Sequence, residues 1–256
     1  DTRSEKIAKN KKFKKKVVDL QEDIDPSKLK TIPQGITPIF SPRSSITMLN
    51  TYAKLLDSSK DYSAITLAFG INDAFKQLLS DNTAKDHITF MLLEKKDKAK
   101  FGSKKKFTYV GIDNNVYQAW GSYIKDPLYQ WTKEINTQII KLNSHVMYIH
   151  SKFLLVDPLG DDPIVVTGSA NFSNASTTDN DENMLIIRGN KRVADIYFTE
   201  FNRLFNHYYF RSVYESVKKK ETAQSNDLFL ASDDSWLEKY AKGKLRYKRV
   251  KMFGKI

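Results

Sequence analysis

Five polar residues in the second half of the chain have the types and spacing of a phosphate-handling site. His150 and Lys152 stand two apart in VMYIHSKFLLVD, and Ser169 and Asn171 stand two apart in GSAN. Side chains two apart in a strand project from one face, so an imidazole would lie beside an ammonium and a hydroxyl beside an amide. Glu182 opens a third strand candidate, and its carboxylate could hold an imidazole N–H. The pattern predicts a nucleophile surrounded by groups that bind phosphate oxygens.

Asp157 ends the same strand candidate but has the opposite strand parity from His150. In a regular strand it would point to the other face, which argues against a direct hydrogen bond between the two side chains. We therefore assign the orientation of His150 to Glu182, and a structural or charge-pairing role to Asp157.

The same residues, taken in order, resemble the motif of the phospholipase D superfamily. The motif is His150-x-Lys152, then four residues and Asp157, then Gly168-Ser169-x-Asn171. The amino-acid sequence of the motif most resembles that of the nuclease-like branch. The resemblance implies a metal-independent phosphodiesterase that needs no cofactor and forms a phosphohistidine. It assigns two overlapping sets of residues: the catalytic set His150, Lys152, Glu182 and Asp157, and the phosphate-binding set Lys152, Ser169 and Asn171.

One copy of the motif is present, whereas members of this family use two, in one chain or across a homodimer. Attack by an imidazole needs a second group on the opposite side of the phosphorus to protonate the leaving oxygen. His87, His145 and His207 have no motif around them. We therefore expect either a homodimer or a companion repeat upstream, and the chain begins with Asp rather than Met, as a C-terminal repeat of a two-repeat protein would. Which of the two histidines is the nucleophile stays open.

Alternating strand and helix signals from residue 36 onward predict an α/β fold. The resemblance makes this a phospholipase D-like α-β-α sandwich with a mixed, largely parallel central sheet. Strand candidates include SAITLAFG, HITFMLLE, FTYVGI and the three segments that carry the motif, and a helix is predicted to begin at Asp126. We divide the chain into a basic N-terminal arm or linker (1–34), a catalytic domain (35–215) and a basic C-terminal extension (216–256).

The charge balance favours a polyanionic partner. There are 42 Lys and Arg against 30 Asp and Glu, a formal net charge of +12, with basic clusters at 9–16, 95–106 and 242–255. Nucleic acid is the partner we expect, and an anionic phospholipid is the alternative. With no Cys and four scattered His, a zinc centre is not expected. No apolar run approaches the roughly 20 residues of a spanning helix, so we expect a cytoplasmic protein.

Three functions fit these features. The first is a nuclease that cleaves DNA or RNA. The second is a phospholipase D or phosphatidyltransferase acting on anionic phospholipids, although the sequence offers no clear apolar segment for insertion into a membrane. The third is an inactive module that only binds polyanions.

Overall fold

The computed structural model describes residues 2–81, 87–99, 102, 107–121, 148–218 and 232–254. These residues contain one seven-stranded sheet in the order β1-β7-β6-β5-β2-β3-β4. The strands are β1 (Gly35–Phe40), β2 (Tyr62–Leu67), β3 (Ile88–Leu93), β4 (Val116–Trp120), β5 (Phe153–Val156), β6 (Ile164–Gly168) and β7 (Asn183–Arg188). The helix predicted to begin at Asp126 lies outside the described residues.

The sheet is mixed, as predicted, but its parallel share is smaller than expected. Within the described strands, β2 pairs with β3, and β3 with β4, in parallel. The other four pairings, β1–β7, β2–β5, β5–β6 and β6–β7, are antiparallel. The reason is the second half of the chain, where β5, β6 and β7 follow one another as spatial neighbours. Such neighbours run antiparallel unless a long crossover returns the chain to the same edge of the sheet.

Helices cover both faces of the sheet. They are α1 (Thr2–Ala8), α2 (Lys11–Leu20), α3 (Thr47–Asp57), α4 (Asp73–Leu79), α5 (Asn174–Thr178), α6 (Lys191–Lys218) and α7 (Leu245–Gly254), with 3₁₀ turns at Leu29–Thr31, Ile112–Asn114 and Ser235–Tyr240. In this described part of the chain, no helix combines the length and the apolar character needed to cross a bilayer.

Alternate residues of β2 divide between two apolar cores, because successive side chains of a strand point to opposite faces. Ile65 packs with α3 and α4 in the first core. Ala64 packs in the second core with Phe201 and Phe205 of α6. This arrangement confirms the predicted α-β-α sandwich.

The strand predicted at FTYVGI is absent from that segment, and β4 lies just after it. Residues 107–110 are irregular, and the 3₁₀ turn Ile112–Asn114 is followed by Asn115, which adopts a left-handed conformation with φ 56°. Val110 is fully buried, and its carbonyl accepts a hydrogen bond from the side chain of Gln118 instead of a strand partner. Val110 packs into the first core, whereas Phe107, Tyr109 and Ile112 are exposed, so the segment does not bury its apolar side chains as a strand of the sheet would.

The segments on either side of 35–215 pack against the sandwich. The fully buried Arg43 forms an ion pair with Asp23 and donates to the carbonyl of Gln21, which holds the end of the N-terminal arm. In the C-terminal extension, the Arg249 guanidinium of α7 lies 5.5 Å from the ring centroids of both Phe90 and Tyr117. The division of the chain into three functional parts stays a prediction.

Candidate active site

Strand directions bring the motif residues to one edge of the sheet. In β5 and β6, Phe153 pairs with Thr167, and in β6 and β7, Gly168 pairs with Met184. The residues just before β5, just after β6 and just before β7 therefore meet at the same edge. Those residues are His150 and Lys152, Ser169 and Asn171, and Glu182. Because β2 runs antiparallel to β5, β2 ends at this edge and the loop after it begins there.

Hydrogen bonds from side chains, rather than pairing with a neighbouring strand, hold the backbone that carries His150 and Lys152. We predicted one strand over VMYIHSKFLLVD, but β5 begins only at Phe153. The buried Thr66 hydroxyl of β2 donates to the Ser151 carbonyl at 2.7 Å and accepts from the Phe153 amide at 3.0 Å. Thr66 thus occupies the place of a backbone partner and lets residues 148–152 leave the sheet.

Glu94, at the end of β3, holds the segment just before the histidine. Its carboxylate is buried and accepts hydrogen bonds from the backbone N–H groups of Tyr148 at 2.9 Å and Ile149 at 2.6 Å. Sequence reasoning missed both Thr66 and Glu94. The sequence did contain a signal for them: each is a polar residue within or directly after a buried strand, and a buried polar group must find a hydrogen-bond partner.

We expect Glu94→Ala to lower kcat by about 10- to 100-fold, because a shift of about 1 Å in a reacting group has an effect of that order. The affinity for substrate should change little, since the Glu94 carboxylate holds the backbone that carries His150 and is itself buried. Glu94→Gln should recover most of the activity, because its amide oxygen can accept the same two N–H groups. Steady-state kinetics of the three proteins would check this. Equal losses in the Ala and Gln variants would contradict it.

Lys152 and Glu182 share the charge of the site. Lys152 is partly buried, and its ammonium donates to the carbonyl oxygen of His150 at 2.7 Å. Burial lowers the pKa of Lys152, and the nearby Glu182 carboxylate opposes that change. Glu182 also accepts a hydrogen bond of 3.4 Å from the amide of Asn180.

The interaction predicted between Glu182 and the imidazole is not formed within the described residues, where the Glu182 charge acts on Lys152 instead. The reason is that His150 lies outside β5, so strand parity does not fix its direction. His150 is exposed, and its imidazole is therefore available to a substrate or to a second protein unit. Orientation of His150 by Glu182 stays a prediction.

Ser169 is held in place by the first residue of β7. The backbone N–H of Ser169 donates to the backbone carbonyl of Asn183 at 2.9 Å, and the Ser169 hydroxyl accepts from the backbone N–H of Asn183 at 3.0 Å. Gly168, just before Ser169, allows the close approach of β7. A Cβ there would lie 2.1 Å from the Asn183 carbonyl oxygen. The exposed Ser169 hydroxyl also donates a long hydrogen bond of 3.4 Å to the Asn183 carbonyl, an acceptor that a ligand oxygen could replace.

Asn171 presents an amide with unused hydrogen-bonding capacity. Its Oδ1 atom is buried and has no donor among the described residues. Such an oxygen normally finds a partner, because an unsatisfied buried acceptor costs about 1 to 3 kcal/mol. The arrangement fits a residue that contacts a ligand.

Asp157 lies at the opposite end of β5 from His150, so it is not part of this cluster. Its carboxylate accepts hydrogen bonds from the backbone N–H groups of Lys60, Asp61 and Tyr62 at 2.9 to 3.1 Å. It sits at the turn after β5 with φ 44°. The catalytic assignment that the motif suggested for Asp157 is therefore not supported by its position, whereas the structural role inferred from strand parity fits it.

We expect Asp157→Ala to lower the free energy of unfolding by about 2 to 4 kcal/mol, because hydrogen bonds to a charged group contribute about 1.5 to 3 kcal/mol each and are not additive. Asp157→Asn should cost less, since Asn keeps an acceptor and tolerates a positive φ. Urea denaturation would measure both. Each folded variant should keep kcat near that of the wild type, and a large loss of kcat at unchanged stability would restore the catalytic assignment.

Two of the other three histidines can be placed. His87 is buried and directly precedes β3, at the opposite edge of the sheet from His150. His207 is exposed on α6, and His145 lies outside the described residues. In the described ranges, no group of three His, Asp or Glu side chains is arranged to hold a metal ion.

A comparison with known protein families shows the family of this chain. The family profile described as "Cardiolipin synthase, PLD-like domain" matches residues 52–205, which is more than half of the chain and includes every motif residue. The chain belongs to this phospholipase D-like family. No curated protein sequence matches it significantly.

Several solved structures are similar to this chain. Nuc from Salmonella typhimurium, a phospholipase D family member, is 16% identical with a TM-score of 0.44, over 67% of this chain and 93% of that one. NucT from Helicobacter pylori is 12% identical with a TM-score of 0.45, over 67% and 95%. Phosphatidylserine synthase from Haemophilus influenzae is 12% identical with a TM-score of 0.39, over 84% and 46%. The family is established by the profile, and the substrate is left open.

Proposed function

We propose that this chain is a metal-independent phosphodiesterase that cleaves nucleic acid through a phosphohistidine at His150. The observation that carries the proposal is the convergence of an exposed imidazole, an ammonium, a hydroxyl and an amide at one edge of the sheet. The first group is a nucleophile, and the other three can bind the nonbridging oxygens of a phosphodiester.

In the proposed reaction, a nitrogen lone pair of His150 attacks phosphorus while the bond to the leaving oxygen breaks. A second histidine on the opposite side gives its proton to that oxygen. Water then attacks phosphorus, the same second histidine takes a proton from the water, and the phosphorus–nitrogen bond breaks. Negative charge that builds on the nonbridging oxygens is neutralised by Lys152 and hydrogen-bonded by Ser169 and Asn171, so the mechanism requires no metal ion.

We infer that the second histidine comes from another unit, because one imidazole cannot stand on both sides of the phosphorus and the other histidines of this chain have no motif around them. A homodimer or a companion repeat would supply it. The exposure of His150 supports this, since its imidazole is open to a facing unit. In a symmetric dimer, either histidine could serve as the nucleophile and the other as the acid.

Nucleic acid is the proposed substrate because of the net charge of +12. We expect the wild type to nick supercoiled plasmid or to cleave single-stranded oligonucleotides in EDTA. The apparent affinity should fall with salt, by about 0.9 log units per neutralised phosphate for each tenfold rise in concentration on duplex DNA. No cleavage of DNA or RNA by the wild type, together with release of headgroups from lipid, would refute the nuclease proposal.

A phosphatidyl transfer or phospholipase activity is the second candidate, favoured by the cardiolipin synthase description of the matching family. The same four groups could act on the phosphodiester of phosphatidylglycerol. Vesicles containing this lipid, assayed for released or transferred headgroups in EDTA, separate the two candidates. Binding of both polyanions with turnover of neither would leave the third candidate, an inactive module.

A further inference from the structure

A cleft of about 690 Å³ opens beside the motif residues. Its walls come from the loop after β2, the start of α4 and the residues that follow β6. Asn171 lines this cleft, and it stands two residues after Ser169 at the edge of the sheet described above. The cleft is therefore placed to receive the part of a substrate that lies next to the reacting phosphate.

One of the two lysines that line the cleft is poorly suited to bind a second phosphate. Lys76 is a buried cation in its wall, but its ammonium lies 2.8 Å from the Asp97 carboxylate, which is also largely buried. The Lys76 ammonium also lies 4.3 Å from the ring centroid of Phe107. A cation already paired in this way has little charge left for an anion. Lys98 also lines the cleft and is exposed, so it can contact a phosphate that flanks an uncharged group bound beside the Lys76–Asp97 pair.

Two features of the walls call for a flat aromatic ligand with an N–H group. Phe69 lines the cleft with 61% of its surface exposed, and Phe107 lines it with 37% exposed. The buried Oδ1 of Asn171 has no donor among the described residues. A nucleobase satisfies both needs, since its ring can stack on a phenyl ring and its amino or imino group can donate to an amide oxygen.

We infer that this cleft holds an unpaired nucleobase next to the scissile phosphate, stacked on Phe69, and that the substrate is single-stranded nucleic acid. A base inside a duplex is stacked and paired, so it cannot enter the cleft without being extruded, which costs a few kcal/mol. An acyl chain is the poorer occupant, because it would leave the Asn171 oxygen unsatisfied. The inference rests on the proposed nuclease function and specifies its substrate.

The experiment uses the His150→Ala variant, which should bind substrate without cleaving it. Single-stranded oligonucleotides that carry 2-aminopurine report stacking as quenched fluorescence, and anisotropy gives the Kd. Phe69→Ala in this background should raise the Kd by about 5- to 150-fold, the range for loss of one stacked base, and should abolish the quenching. Phe69→Tyr should retain both. Phe210→Ala is the matched control, since Phe210 is 56% exposed on α6 and does not line the cleft.

The inference is supported if the Phe69→Ala loss is confined to single strands and the Kd for duplex is unchanged. It is overturned if Phe69→Ala behaves like Phe210→Ala, if single and double strands lose affinity equally, or if single strands do not bind. Loss of binding to phosphatidylglycerol vesicles alone would also overturn it. Retained cleavage by the wild type, without quenching in the His150→Ala variant, rejects only the subsite. Absence of cleavage, together with release of headgroups from lipid, rejects the proposed function.

Discussion

Replacement of His150 by alanine will lower phosphodiester hydrolysis by about 10³- to 10⁶-fold, the range expected when a covalent nucleophile that acts with partner groups is removed. The exposed imidazole supplies the attacking nitrogen in the proposed mechanism, and a methyl group cannot form the phosphorus–nitrogen bond. Single-turnover hydrolysis of a labelled oligonucleotide by wild type and variant would measure the loss. Quenching of the wild type with denaturant at alkaline pH during turnover should also trap label that is bound to protein through an acid-labile, base-stable bond, as expected of a phosphohistidine.

The matched control is His207→Ala, because His207 is the other exposed histidine of the described residues and has no motif around it. Its activity should stay within about twofold of the wild type. If His150→Ala keeps its activity, or if the trapped label persists in that variant, His150 is not the nucleophile. Loss of hydrolysis in the His207 variant alone would instead identify His207 as a catalytic residue and remove the need for a second unit to supply the acid.

The meeting of the motif residues at one edge of the sheet could be predicted from the sequence, because these residues are adjacent to strands with clear apolar patterns. HSKFLLVD, PIVVTGSA and ENMLIIRG each join a short apolar run to polar residues at one end. Once the strands pair antiparallel in this order, the polar ends must meet. Strand parity also indicated the structural position of Asp157, against the assignment that the motif suggested.

The way in which His150 is held could not be predicted in the same manner. Residues 148–152 look like a strand because Tyr148 and Ile149 are apolar, yet their backbone N–H groups bond to Glu94 rather than to a neighbouring strand. Glu94 is 54 residues away from Tyr148 in the sequence. A partner so distant is fixed only by the fold, and local propensity carries no information about it.

The electrostatic role of Glu182 shows the same limit. The sequence indicates a carboxylate near the site, but not which cation or ring it faces. In the structure its charge raises the pKa of Lys152 against the effect of burial. Glu182 therefore affects a measurable quantity, the pKa of Lys152, although it does not contact the imidazole of His150.

The ammonium of Lys152 is the main positive charge that the structure places among the motif residues. Lys152→Ala will lower kcat by about 10²- to 10³-fold, the loss typical for one preorganised donor to a developing anion. Because burial lowers the pKa of Lys152, activity that depends on its proton should decline at a lower pH than the pKa of an ordinary lysine. The pH profile of kcat/KM, followed up to the alkaline range, would locate that decline.

Glu182→Gln will move the alkaline decline of kcat/KM to lower pH, because it removes the negative charge that raises the pKa of Lys152. Glu182→Asp, which keeps the charge, should leave the decline closer to its wild-type position. In Lys152→Arg the decline should disappear from the accessible range even if kcat is reduced, since a guanidinium keeps its proton there. If the decline stays at the same pH in all three variants, another group titrates, and Lys152 does not act through its charge.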